Sequence, residues 1–220
     1  REPDRLVAFN AEQFIANAEL LYLREHARSL ADVAAMSPGW GMALTGVGEA
    51  TQLTPARAST NLFDLLGVRP TYGRSFQADE STPGRETVAI LGHALWAERF
   101  GSDPSVIGRR ITLDGTPYTV VGVLPPGFEL LQPADLYVPF GPWVATLPED
   151  RGWHPGIFPI GRLKPGVSIE AARGELAGIA QALEEEYPES NRNVRALITP
   201  LQDQVVQNVR PALLLLLGAV

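Results

Sequence analysis

Apolar and polar positions along this chain follow two different periods, and the places where the period changes outline its elements. Arg5-Leu-Val-Ala-Phe9 is a short apolar run that reads as a strand. Asn10, with Gln13 three residues later, has the spacing of a capping box, in which two orphan amides at a helix start are satisfied reciprocally. Phe14, Ala18, Leu21 and Tyr22 then recur at helical spacing and predict a helix over residues 11–29. From Leu30 to Ser59 the apolar stretches shorten and are broken by Pro38-Gly39, Gly46 and Gly48, which predicts hairpin strands over 32–37, 41–46 and 51–59.

A helical turn from Asn61 to Leu66 ends at Gly67, and a polar loop leads to a buried strand, Thr87-Val-Ala-Ile-Leu91. Ala94 to Phe100 reads as a short helix stopped by Gly101. Asp114-Gly115 accepts the positive φ of a tight turn and sits between Arg110-Ile-Thr-Leu113 and Tyr118-Thr-Val-Val121, a hairpin signature. Leu136 to Phe140 is a further strand whose Pro139 favours an edge position, because proline cannot donate to a ladder. After a loop rich in Pro, Gly and Trp at 141–156, Phe158 to Leu163 reads as a strand. Ser168 then caps a long helix with its buried stripe at Ile169, Ala172, Leu176, Ile179 and Leu183. Asn193 to Thr199 predicts a last strand, and 201–220 a helix that grows more apolar towards its end.

The order is strand–helix–strands, a β-rich middle, then strand–helix–strand. Such an order predicts an α+β fold in which both chain ends build one layer pair and the middle is a second subdomain inserted into it. Every residue from Ala212 to Val220 is apolar or Gly, a run less than half of the roughly 20 residues that cross a bilayer. It reads as the first turns of a transmembrane helix at 206–220, with a C-terminal core helix as the alternative.

Composition narrows the function classes. At 45% hydrophobic and 20% charged residues, the chain can bury an ordinary core. A net charge of −7 argues against general affinity for nucleic acid or anionic lipid, both of which need a basic surface. With no cysteine there are no thiolate zinc sites, Fe–S clusters, thiol nucleophiles or disulfides. His26, His93 and His154 are far apart and form no paired ligand motif.

Candidate chemistry is sparse. Gly46-Val-Gly48 has too few glycines for a dinucleotide fingerprint, and there is no Walker A sequence, so the chain has no P-loop ATPase site of its own. Asp79-Glu80 and Glu184-Glu185-Glu186 read as solvated faces rather than catalytic carboxylate pairs. Ser59, Ser75 and Ser102 lack a nucleophile-elbow context. Among four tryptophans, Trp96 lies on the apolar side of its helix and reads as core. Trp143 and Trp153 flank the Pro/Gly loop and are the better candidates for an exposed partner contact. No catalytic, cofactor-binding or metal site is assigned.

A set of motifs in fixed order resembles one family. These are Thr60-Asn-Leu-Phe-Asp-Leu-Leu-Gly-Val-Arg-Pro70, Gly73-Arg74-Ser-Phe76, Val88-Ala-Ile-Leu-Gly-His-Ala-Leu-Trp96 and Arg99-Phe-Gly-Ser-Asp-Pro-Ser-Val-Ile-Gly108. Tyr118-Thr-Val-Val-Gly-Val-Leu-Pro-Pro-Gly-Phe128, Arg162-Leu-Lys-Pro-Gly-Val-Ser168 and Glu186-Tyr-Pro188 complete it. Together they resemble the MacB-type periplasmic core domain of FtsX-like ABC-transporter permeases. That resemblance implies a porter-like βαβ-type lobe over 1–60 and 155–205 and an inserted β-rich, sabre-like lobe over 61–154. Phe63, Leu66, Phe76, Trp96 and Phe100 would furnish the inserted lobe's core, and Gly67, Gly73 and Gly108 its tight turns.

The resemblance further implies a non-enzymatic, cofactor-free domain on the periplasmic face of an inner-membrane protein. It would transmit conformational change and contact partners or cargo during export. Its partners would be a second permease half or protomer, a separate cytoplasmic ABC ATPase acting through the membrane part, and a periplasmic or outer-membrane protein. The residues alone also admit a soluble extracytoplasmic ligand-binding protein, which would need a deep pocket, and a hydrolase, which would need a nucleophile, base and oxyanion donors in reach of one another.

Overall fold

The computed structural model describes residues 2–9, 15–147, 151, 153–192, 195 and 197–204. The fold is α+β, and the chain divides into two compact units, Arg1–Val33 with Glu149–Val220, and Ala34–Pro148.

The first unit joins the two ends of the chain. Strand β1 (Leu6–Phe9) is buried at all four residues, as a strand with neighbours on both sides should be. It lies between β11 (Phe158–Leu163) and β12 (Ile198–Pro200), antiparallel to both, with Val7 opposite Gly161 and Pro200. Helix α1 (Asn17–His26) is shorter than the periodicity predicts. Its first free amide, on Ala16, donates to Glu19 Oε2 at 2.8 Å, so the cap is made from inside the helix. The expected cap at Asn10 lies outside the described residues. Helix α5 (Ile169–Glu186) starts where the sequence places it: Ser168 Oγ accepts from the Ala171 amide at 3.1 Å. It buries Ala172, Leu176, Ala180 and Leu183, one residue of each successive turn, and the short α6 (Pro188–Asn191) follows.

Strand β2 (Leu30–Pro38) begins in the first unit and ends in the second. Within the second unit the sheet runs β2, β5 (Pro55–Ala58), β10 (Leu136–Pro139), β7 (Val88–Leu91), β9 (Thr116–Val123), β8 (Arg110–Leu113), β3 (Met42–Thr45), β4 (Thr51–Leu53). The expected hairpin is β8–β9, with Asp114 at φ 48° and Gly115 at φ 77° forming its turn. The single strand predicted over 51–59 is two. Thr54 separates them because its amide donates to the Asp135 carboxylate at 2.7 Å and its carbonyl accepts from the Asp135 amide at 2.8 Å.

Strand β10 is interior, not at an edge, because its proline is its last residue: β7 pairs only Leu136 and Tyr137, so no ladder bond is lost at Pro139. A bulge at Val121 shifts the β7–β9 register and turns that carbonyl towards β6 (Tyr72–Gly73). A side chain at Gly73 would overlap the Val121 carbonyl oxygen, and its φ of 75° adds a second reason for glycine.

One apolar cluster in this unit joins Leu44, Leu91, Leu113, Val123, Leu136 and the α3 (His93–Phe100) side chains Leu95, Trp96 and Phe100. Another is aromatic: Phe63, on α2 (Leu62–Leu66), packs edge-on to Tyr137 at 5.3 Å and tilted against Phe76 and Phe128 at 6.0 and 5.9 Å. Of the five core residues expected here, Leu66 alone is half-buried; Leu62 and Leu65 point inwards in its place.

Candidate functional site

Three of the side chains weighed for catalysis, Glu80, Asp79 and Ser59, are tied into structural bonds. Glu80 is buried rather than solvated, because Arg74 grips both its oxygens at 2.6 and 3.0 Å and the Gln77 amide adds a third bond at 2.7 Å. The Glu80 carboxylate in turn holds the Arg74 guanidinium above its ordinary pKa. Asp79 is exposed, paired with Arg85 at 2.9 Å. Ser59 Oγ accepts from the Ala35 amide at 2.9 Å and donates to Asn61 Oδ1 at 2.7 Å, so no base abstracts its proton. Among the described residues no group of three or more His, Asp or Glu side chains could hold a metal ion.

A cavity of about 180 Å³ lies in the second unit at the start of α3, lined by Gly92, His93, Phe128, Glu129, Pro133 and Asp135. Pockets that enclose small ligands run from roughly 300 Å³ upwards, so this one admits a side chain rather than a metabolite. It does not supply the deep pocket that a soluble ligand-binding protein requires.

The tryptophans separate into three environments. Trp96 is core, its indole N–H donating to the Asp103 carbonyl at 2.9 Å. Trp143, on α4 (Gly141–Val144), is half-buried; its ring stands edge-on to Phe140 at 5.4 Å, and the Arg57 guanidinium lies over its face at 4.8 Å. Trp153 belongs to the first unit and is 44% exposed. Trp143 and Trp153 thus fall in different units.

Reading the chain for exposed aromatics missed Trp40, which is 84% exposed in the turn between β2 and β3. The signal lies in its context, Pro38-Gly39-Trp40-Gly41, a turn sequence around a large apolar side chain. The backbone of that turn is pinned: the Gly39 amide donates to the Pro55 carbonyl at 2.9 Å, and a Cβ on Gly39 would lie 2.6 Å from Pro55 Cγ. Arg57 reaches the same turn, its Nη1 donating to the Pro38 carbonyl at 3.4 Å. Burial pushes the Arg57 guanidinium below its ordinary pKa, and the nearby Tyr118 hydroxyl offsets part of that effect.

This α+β chain of two units has the same fold as solved transporter domains. The periplasmic region of MacB from Actinobacillus actinomycetemcomitans is similar at a TM-score of 0.67 and 14% identity, covering 93% of this chain and 92% of that one. The extracellular domain of the noncanonic ABC-type transporter YknZ from Gram-positive bacteria is similar at 0.59 and 17% identity, covering 83% and 95%. A search of curated proteins gave no match.

The family itself is fixed by sequence. Residues 4–179 match the MacB-like periplasmic core domain, and the chain belongs to that family of ABC-transporter permease domains, which are not typically catalytic. No described helix is long and apolar enough to cross a membrane, and the helix expected over 206–220 lies outside the described residues.

Proposed function

We propose that this chain is the extracytoplasmic domain of an inner-membrane ABC-transporter permease. In that role it transmits conformational change and contacts partners or cargo during export, without catalysing a reaction. The observation that carries this reading is the family match over residues 4–179, alongside the structural bonds that occupy Ser59 and Glu80. The division of labour follows from the chemistry. These residues carry no nucleotide-binding motif, and in this reading a separate cytoplasmic ABC ATPase hydrolyses ATP and the movement reaches this domain through the membrane part. A second permease half or protomer and a periplasmic or outer-membrane protein complete the assembly.

Reporter fusions in the full-length parent test the placement. One reporter precedes the membrane helix upstream of Arg1; the other sits in the 141–156 loop. A cytoplasmic signal from the first and an external signal from the second are expected. Signals from one and the same compartment would remove the flanking helix and return the soluble ligand-binding reading.

A further inference from the structure

Two features of the second unit are costly to a domain that acts alone. The first is Trp40. A tryptophan that is 84% exposed leaves most of a large apolar surface in water, yet the turn beneath it is pinned by the Gly39–Pro55 bond and by the close approach that excludes a side chain at residue 39. The ring is thus held out on a fixed backbone, so little backbone entropy is lost when something covers it.

The second feature is Arg57. Its guanidinium is half-buried, its face lies over Trp143, and its one direct hydrogen bond among the described residues is a long one to the Pro38 carbonyl. Among the described residues no carboxylate pairs with it, in a chain that carries 25 of them. An arginine presents five N–H donors in a planar fork that matches a carboxylate, and most of that fork is unused here. The two features are neighbours: Trp40 follows the carbonyl that Arg57 touches by two residues, at most about 7 Å of extended chain.

We propose that Trp40 and Arg57, with Trp143 as the ring behind the guanidinium, form a docking site for an acidic protein segment. Its carboxylate meets Arg57, and an apolar slot beside that carboxylate receives the Trp40 indole. Charge complementarity selects this occupant. A net charge of −7 repels an anionic membrane over the whole domain, whereas a single protein carboxylate answers a single uncompensated cation. Arginine and tryptophan are also the side chains that most often dominate binding energy at protein interfaces. The inference rests on the partner-contacting role proposed above and names one such contact.

The test is selection of a random peptide library on the full chain, followed by binding measurements on the best peptides. The expected result is enrichment of Asp or Glu within a few residues of Phe, Leu or Met. Trp40→Ala should then weaken binding about tenfold or more. Arg57→Gln should abolish the preference for an acidic peptide over its amide counterpart, while Arg57→Lys keeps part of it. If Arg57→Gln does not fold, the swap of peptide Glu for Gln on the unaltered chain reads the same preference.

Absence of acidic–apolar peptides would overturn the proposal, as would binding indifferent to Trp40→Ala. Sedimentation of the chain with vesicles of phosphatidylcholine and phosphatidylglycerol, lost in Trp40→Ala, would overturn it in favour of a lipid surface. Failure of this site leaves the reporter-fusion result untouched, so the two readings fail separately.

Discussion

In Ala34–Pro148 the core residues come from one continuous stretch, while the other unit must join segments from both chain ends. The continuous unit closes with apolar and aromatic side chains, Phe63, Tyr137, Leu91 and Leu136 among them. Its side-chain ties, such as those from the Thr54 and Ala43 amides to Asp135 and Asp114, stay within that stretch, whereas several polar ties of the discontinuous unit join one chain end to the other. Arg5 donates to the Leu163 carbonyl at 2.6 and 2.9 Å, and Arg173 to the Ile198 carbonyl at 3.0 Å. Glu175 accepts from the Arg28 and Ser29 amides at 2.8 and 2.7 Å. Buried Glu19 accepts from Ala16, with Arg151 at 3.4 Å and Asn191 at 3.5 Å; Arg151 also stacks on Tyr187.

The contrast teaches where specificity is needed. Bringing distant segments together costs loop-closure entropy before any contact forms, and directional bonds fix which segments meet.

That contrast can be broken by single substitutions. The largest effect is expected from Phe63→Ala, which removes a fully buried ring from the aromatic cluster; a loss of about 3–5 kcal/mol in denaturant unfolding is expected. A loss under 1 kcal/mol would show that the cluster does not close the second unit. Glu19→Ala is expected to cost about 1–3 kcal/mol, because the Ala16 amide and the Arg151 guanidinium lose their buried acceptor. Hydrogen exchange should show the opening confined to α1 and the segments around Arg151 and Asn191; uniform loosening of both units would erase the distinction drawn here.

Glu175→Gln is the smallest and sharpens the comparison through pH. Burial pushes the Glu175 carboxyl up, but the hydrogen bonds from Ser29 and Arg28 outweigh it and hold the group below its ordinary value. A depressed folded value gives stability that is present above the unfolded carboxyl pKa and lost as pH falls through the folded one. The unaltered chain should therefore lose this stability on acidification and the variant should lose less. The difference at neutral pH is about 0.5 kcal/mol or less after solvent screening at this half-buried surface site.

Legibility followed locality. The β8–β9 hairpin and the start of α5 were readable because Asp114-Gly115 and Ser168 carry their own turn and cap chemistry within three residues. The start of α1 was not, because Ala16 has no capping side chain and half the reciprocal motif is missing. The break at Thr54 was hidden for another reason: its partner Asp135 is far away in sequence. The same distance concealed Glu80's burial less well, since Arg74 is only six residues back, yet an acidic pair in a polar loop reads as solvated until the loop's geometry is known. Trp143 is expected from the sequence as an exposed contact, whereas its ring is half-buried, and its stacking with Arg57 joins α4 to β5 and has no local signature. Trp40 was the opposite case. Its exposure is a property of a turn written in adjacent residues, passed over because the longer Pro/Gly loop at 141–156 drew the choice to Trp143 and Trp153.

Tyr137 gives the aromatic cluster a property that its packing alone does not reveal. Its side chain is fully buried, and burial, with a smaller contribution from Glu129, pushes the phenol well above the value of a free tyrosine. A raised folded value means that stability is present below the pKa of an unfolded tyrosine and is drained as pH climbs towards the folded one. Burial disfavours the phenolate in place, so ionisation is coupled to opening of the cluster. The second unit therefore carries its own alkaline ceiling, and the colour change of one tyrosine on ionising is an optical signal that its interior has come apart.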